Sequence, residues 1–143
     1  MTNELIDNVA DQKIIDTLNH INTIALIGAS EKPERDSFKV MAFLINKGYQ
    51  VYPVNPFLEG TTIMNRKVYA CISDIPVSVD MIDVFRQSKF LYGIVVEAKK
   101  SGIDCIWTQL GVTDIEAESF ASENGITMIV DRCPAIEIPR LNL

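Results

Sequence analysis

The residues whose types can do chemistry fall into five short peptides, each following an apolar run. The first, Gly28-Ala29-Ser30-Glu31-Lys32-Pro33-Glu34-Arg35-Asp36-Ser37, leads into a helical periodicity. A glycine there lets an anion approach the backbone, and Ser30 supplies a hydroxyl. Ser37 is placed to cap the following helix, whose amide end favours negative charge. Lys32 and Arg35 add positive charge at the rim, with Lys39 one turn further on. Taken alone, the peptide is equally an ordinary capped loop. The second, Pro53-Val54-Asn55-Pro56, is stiffened by two prolines and makes either a ligand wall or a simple strand exit. The third, Asp83-Val84-Phe85-Arg86, offers an aromatic face and a guanidinium that meets a phosphate or pairs with Asp80 or Asp83. In the fourth, Trp107-Thr108-Gln109-Leu110-Gly111, Gln109 can hydrogen-bond a heterocycle or an amide, while Trp107 reads as core. The fifth, Asp131-Arg132-Cys133-Pro134, brings a thiol that is either activated beside Arg132 or, as is commoner, buried and inert.

What is missing narrows the chemistry. A dinucleotide fingerprint needs G-x-G-x-x-G and an acid at the end of the second strand; here the glycine is followed by Ala29-Ser30-Glu31-Lys32-Pro33, and the second strand ends in Asn55-Pro56. NAD is therefore a poor fit, and the lack of G-K-[ST] excludes a Walker site. His20 is the sole histidine and precedes all five peptides, so no nucleophile–histidine relay assembles. Asp83, Asp131 and Glu137 are the carboxylates that a pair across the edge would use, but structural carboxylates are the default in an acidic chain. No catalytic residue is assigned. Cys71, Cys105 and Cys133 form no CxxC pair, so no metal site is expected and a reducing compartment fits best.

These peptides need a scaffold that brings them to one edge. In 143 residues, short apolar runs at Ile24–Ile27, Val51–Val54, Met81–Phe85, Ile103–Trp107 and Ile126–Val130 alternate with helical periods. Those periods are marked by Phe38, Met41 and Leu44 or Ile45, by Leu91, Ile94, Val95 and Ala98, and by Ile115, Phe120 and Ala121. Gly48, Gly102 and Gly125 stand where each helix must end. Strands apolar on successive residues and joined by helices are parallel and covered on both faces. The expected fold is thus an α/β, Rossmann-like, doubly wound, mostly parallel five-stranded sheet over residues 23–143. Residues 1–22 form an added N-terminal helix with Leu5, Val9, Ile14, Leu18 and Ile21 on its apolar side, within one compact domain. Asn55 to Pro76 is a long connection with at most a short strand or turn. In such a sheet ligands bind beyond the carboxyl ends of the strands, where all five peptides fall. A net charge of −6 disfavours nucleic acid, and neither a leader peptide nor a long apolar span is legible, so a cytoplasmic protein with no membrane partner is expected.

The five peptides, in this order and at these places, give the chain a resemblance to the small bacterial and archaeal CoA-binding proteins, similar to the CoA-binding domain of the succinyl-CoA synthetase α subunit. The resemblance spans nearly the whole chain. It implies that coenzyme A, or a short acyl-CoA, is bound without the dinucleotide fingerprint. Gly28, Ala29, Ser30 and Glu31 to Pro33 would surround the diphosphate, with Ser37 in support. Val54, Asn55 and Pro56 would line the second side, and Val84, Phe85 and Arg86 with Thr108, Gln109 and Leu110 the inner wall. Many relatives have a lysine directly after Pro-Val-Asn-Pro; this chain has Phe57, which leaves phosphate neutralisation to Lys32, Arg35 or Lys39. The ligases' phosphorylated histidine belongs to a second domain with no counterpart in these residues, so the implied role is a non-catalytic CoA-binding protein. Two alternatives stand beside it. One is an NAD(P)-binding oxidoreductase on the same type of sheet; the other is a CoA-linked redox or metabolite-sensing module in which Cys133 meets the CoA thiol.

Overall fold

A computed structural model describes the backbone of residues 3–143 and the side chains from Val9 onward. In chain order the regular elements are α1 (Asn3–His20), β1 (Thr23–Ile27), α2 (Asp36–Asn46), β2 (Gln50–Val54), β3 (Thr62–Ile63), β4 (Arg66–Lys67), β5 (Met81–Val84), α3 (Leu91–Lys100), β6 (Cys105–Thr108), α4 (Ile115–Glu123), β7 (Thr127–Ile129) and α5 (Pro134–Arg140). The main sheet has the order β2-β1-β5-β6-β7 and every pairing in it is parallel. All five apolar runs of the sequence became its strands, and the fold is α/β and Rossmann-like.

The strands are apolar on consecutive residues because both faces are covered. Ala25, Ile27, Ile82, Val84 and Ile106 pack under α3 and α4, whereas Ile24, Leu26, Met81, Trp107 and Ile129 pack under α1, α2 and α5. Trp107 is fully buried, as expected of a core residue, and its indole Nε1–H donates to the Arg132 carbonyl at 2.7 Å. On α1, Ile14 and Leu18 enter the second of these cores, but Val9 is 67% exposed; the side chain of Leu5 lies outside the described residues. α1 is also tied to the body of the sheet, for the Lys13 ammonium donates to the Met128 carbonyl at 2.7 Å.

α5 and the β3–β4 hairpin were not legible as such. α5 spans only seven residues, begins at Pro134 and contains Pro139, so it carries no helical periodicity long enough to read. Within the Asn55–Pro76 connection, β3 and β4 pair antiparallel around Met64 and Asn65, both at positive φ, forming a two-residue hairpin without glycine. Val68, just beyond it, is fully buried, and Tyr69 bridges to Val54, so this connection is pinned against β2.

Strand order positions the site. The chain leaves β1 for one side to form β2, then crosses to the other side to form β5, so β1 and β5 are neighbours whose outgoing loops diverge. Diverging loops leave a crevice beyond the carboxyl ends of those two strands.

Candidate functional site at the carboxyl edge of the sheet

Gly28 follows β1 at the mouth of the crevice. Its φ of +89° lies in the left-handed region, and a Cβ added there would stand 2.8 Å from the Phe85 carbonyl oxygen. Only glycine lets the chain turn this sharply against the end of β5. The two strand ends are laced together, because the Phe85 N–H donates to the Ile27 carbonyl at 2.8 Å and the Gly28 N–H to the Val54 carbonyl at 3.0 Å. Asn55 completes the clamp: its Nδ2 donates to the Ala29 carbonyl at 2.8 Å, while its Oδ1 accepts from the Phe57 N–H at 2.9 Å. The side chain of Asn55 thereby holds the β1 and β2 exits at a fixed separation.

Beyond Ala29 the loop is turned by Ser30, whose Oγ accepts from the Lys32 N–H at 3.1 Å. α2 then begins two residues earlier than a cap at Ser37 would place it. Arg35 occupies the N-cap position and makes no side-chain cap bond, while Ser37 is buried inside the first turn. The displacement has a local cause: the Arg35 N–H already donates to the Lys32 carbonyl at 3.0 Å, which closes a turn over Pro33 and starts the helix at Asp36. The first-turn amides of α2 therefore face the loop with no side chain satisfying them, the arrangement that suits an anion.

These parts enclose a cleft of about 510 Å³ lined by Gly28, Ala29, Ser30, Lys32, Arg35, Ser37, Asn55 and Phe85, with Glu31, Asp36, Phe57 and Leu58 completing it. Lys32 and Arg35 are matched by Glu31 and Asp36 in number, so attraction for an anion rests on backbone amides more than on net side-chain charge. Phe57 is 92% exposed and stands at the rim as an uncharged aromatic edge.

A second cleft of about 310 Å³ continues from the first, sharing Asp36 and Phe85 with it, and is walled by Val40, Leu110, Val112 and Ile136 with Lys39, Gln109 and Cys133. At this end of the trough, burial raises the Cys133 thiol above its ordinary range, so it is a neutral thiol and not an activated thiolate beside Arg132. Arg132 is instead engaged with Glu137 at 2.8 Å, and Glu137 also receives Arg140 at 2.6 Å. Asp131 accepts from the Gly111 N–H at 2.6 Å. Asp83 is wholly buried, takes a hydrogen bond from Gln109 at 2.7 Å and is pushed up to about 7 by desolvation. The three carboxylates thus hold separate partners and form no acid pair.

Six of the residues expected at the site do not line either cleft; two of them are Pro33, which is exposed in the loop before α2, and Val84, which is fully buried in the core. Pro56 and Arg86 open onto a separate depression of about 360 Å³ with Ile27, Val54 and Phe90, on the face covered by α3. Phe85 and Arg86 both lie just past the end of β5 at Val84, where the chain bends at Arg86, and they open onto different clefts. The Arg86 guanidinium lies 4.1 Å from the Phe90 ring centroid, and it pairs with neither Asp80 nor Asp83. Val54 is core, contributing its carbonyl to the Gly28 turn. Thr108 is fully buried, donating from Oγ1 to the Val112 carbonyl and accepting from the Asp131 N–H, so it shapes the turn after β6. Conversely, Leu58 and Ile136 line the trough although no motif singled them out; both come from short elements with too few residues to show a period. His20 lies at the end of α1, with its Nδ1 at 2.6 Å from the Asp16 carbonyl, against a depression beyond the opposite edge of the sheet.

Known proteins share this fold. Residues 22–139 match the family model described as a CoA binding domain. YneT of Bacillus subtilis is 30% identical, covering 88% of this chain and 92% of its own length. The α subunit of an ADP-forming acetate–CoA ligase of Pyrococcus furiosus is 32% identical over 64% of this chain but only 21% of that subunit, so the likeness stops far short of the whole ligase. Among solved structures, a protein from Pyrococcus horikoshii superimposes with a TM-score of 0.87 at 38% identity, covering 93% of this chain and 92% of that one. With the family model spanning the sheet and every peptide that builds the trough, the chain belongs to the CoA-binding domain family.

Proposed function

We propose that the protein binds coenzyme A, or a short acyl-CoA, along the two joined clefts, and that it does so as a non-catalytic binding protein. The observation that carries this reading is the trough itself: a polar half, with the Gly28–Lys32 loop and the uncapped first turn of α2, continues past Phe85 into an apolar half ending at Gln109 and Cys133. Such a trough is complementary to an adenylated diphosphate joined to a long, mostly apolar arm. Gly28, Ala29, Ser30 and Ser37 would hold the diphosphate, with Lys32 and Arg35 at its rim. Asn55 supports the loop from behind, Phe85 divides the two halves, and Gln109 reads the arm. Pro56, Arg86, Val54 and Thr108 then act on the scaffold and not on the ligand.

No catalytic group is assigned, because the trough holds neither histidine nor thiolate. An NAD-linked reading is weaker, since Asn55 stands where a ribose-binding acid would be and is already committed to Ala29 and Phe57. Cys133 lines the apolar half and would meet a ligand thiol there, but its raised titration favours a neutral neighbour over a redox partner. The partner is a small molecule; nucleic acid is disfavoured by the charge of −6, and no described helix is long and apolar enough to cross a membrane. Calorimetric titration with coenzyme A, dephospho-CoA and NAD tests the reading. Coenzyme A should bind most tightly, and tighter binding of NAD would overturn it. Mass spectrometry after oxidation with coenzyme A should show no adduct at Cys133.

A further inference from the structure

Asp83 lies in the middle strand of the sheet, in register with Leu26 of β1 and Trp107 of β6. Its carboxyl has no exposed surface; Oδ1 accepts from Gln109 Nε2 at 2.7 Å, and Oδ2 is the one buried side-chain polar atom without a partner among the described residues. An isolated carboxyl in the core is costly, and nothing in the packing of β5 requires one. Its single contact leads to the ligand trough, because Gln109 is part of the floor of the second cleft.

That contact dictates how Gln109 meets a ligand. A glutamine amide has one accepting and one donating end. An ionised carboxylate can only accept, so it takes the Nε2 end and leaves Oε1, which has no protein partner among the described residues, available at the cleft. A neutral carboxyl can donate as well as accept, and it then tolerates the amide in either direction. The charged and titratable groups around Asp83 do not override this. Leu26 and Trp107 flank it in the sheet, α2 contributes Asp36 and Lys39 at the cleft wall, and the start of α5 contributes Cys133, with Arg132 already paired to Glu137.

We propose that Asp83 is a positioning residue for ligand binding: it fixes the Gln109 amide so that Oε1 accepts from an N–H or S–H on the ligand's arm, and protonation of Asp83 frees that amide. The inference rests on the coenzyme A reading and extends it to the arm, which carries secondary amides and a thiol. Because Asp83 is already dry in the free protein, a ligand entering the cleft adds little desolvation and acts on the proton chiefly through Gln109. Titration of the carboxyl near neutral pH, caused by its burial, places the switch within the working range.

The test is the coenzyme A dissociation constant of the wild-type protein, Asp83→Asn and Gln109→Met, measured from about pH 5.5 to about pH 8.5. Ionisation of the ligand's own phosphates is common to all three and cancels in the ratio between proteins. Wild-type affinity should fall about fivefold more than that of either variant as the pH is lowered, the scale of one hydrogen bond. Parallel profiles for wild type and variants would overturn the inference while leaving the coenzyme A reading intact. Failure of the wild type to bind coenzyme A at any pH would overturn that reading, and this inference with it. Thermal melts establish that the variants fold; should Asp83→Asn fail to, Gln109→Met carries the comparison.

Discussion

Gly28 stands so close to Phe85 that a methyl group on its Cα would lie 2.8 Å from the Phe85 carbonyl oxygen. This contact joins the loop after β1 to the end of β5, the two strands between which the sheet reverses its order. Substituting Gly28→Ala imposes both a left-handed φ on a residue with a Cβ and a clash with backbone that cannot swing away. The variant should lose about 1–3 kcal/mol of stability, read by chemical denaturation, and should lose coenzyme A binding more than proportionately. Wild-type affinity in a folded Gly28→Ala protein would show that the loop does not need this approach.

Ser30 supplies a cleaner probe of charge at the same loop. Its Oγ accepts from the Lys32 N–H, a bond that an aspartate carboxylate can also make, so Ser30→Asp should keep the turn and the melting temperature. It places a negative charge beside the proposed diphosphate. Coenzyme A affinity should fall by about tenfold or more at low salt and recover partly as salt is raised. Unchanged affinity would move the diphosphate elsewhere.

How far the sequence foretold this site follows from the range of the forces involved. Strands buried on both faces leave uninterrupted apolar runs, so β1, β2, β5, β6 and β7 were legible, and with them the edge that gathers the five peptides. In sequence Gly28 reads as a place where an anion nears the backbone; that its left-handed φ and its approach to Phe85 require glycine was not legible. Which face each residue takes was not legible either: Phe85 and Arg86 are adjacent in sequence, yet one lines the trough and the other stacks on Phe90. Both lie in the irregular chain just past β5, where no periodicity fixes which way a side chain points. Nor could pattern distinguish Asn55 as a ligand group from Asn55 as a clamp, because its partner Ala29 is 26 residues away. In sequence Asp83 reads as a partner for Arg86 or for another carboxylate at the edge, and only the sheet's centre reveals it as buried and bonded to Gln109.

Arg86 provides the negative control that follows from its placement. Arg86→Ala removes a cation from the depression under α3, not from the trough. Coenzyme A affinity should change less than about twofold, and stability should fall by about 0.5–1 kcal/mol through the lost stacking on Phe90. A large loss of affinity would mean that the ligand reaches around the end of β5 to the other face.

Asp83 should also leave its mark on stability. Burial raises its carboxyl from 3.8 to about 7, so the native state favours the neutral form. The stability this provides is complete below the unfolded value, declines as pH rises through the interval, and is gone above about 7. The whole effect is on the order of 4 kcal/mol as an upper bound. Asp83→Asn has no proton to lose, so its melting temperature relative to wild type should be higher at pH 8 than at pH 5. A constant difference across that range would mean that Asp83 is ionised throughout.

The most direct measurement is a crystal structure of the protein soaked with coenzyme A. On the proposed binding mode, the diphosphate lies against the Gly28–Lys32 loop and the first turn of α2, with the arm running past Phe85 toward Gln109 and Cys133. Density for the ligand in the Arg86 depression or on another surface, or an empty trough at saturating ligand, would contradict it.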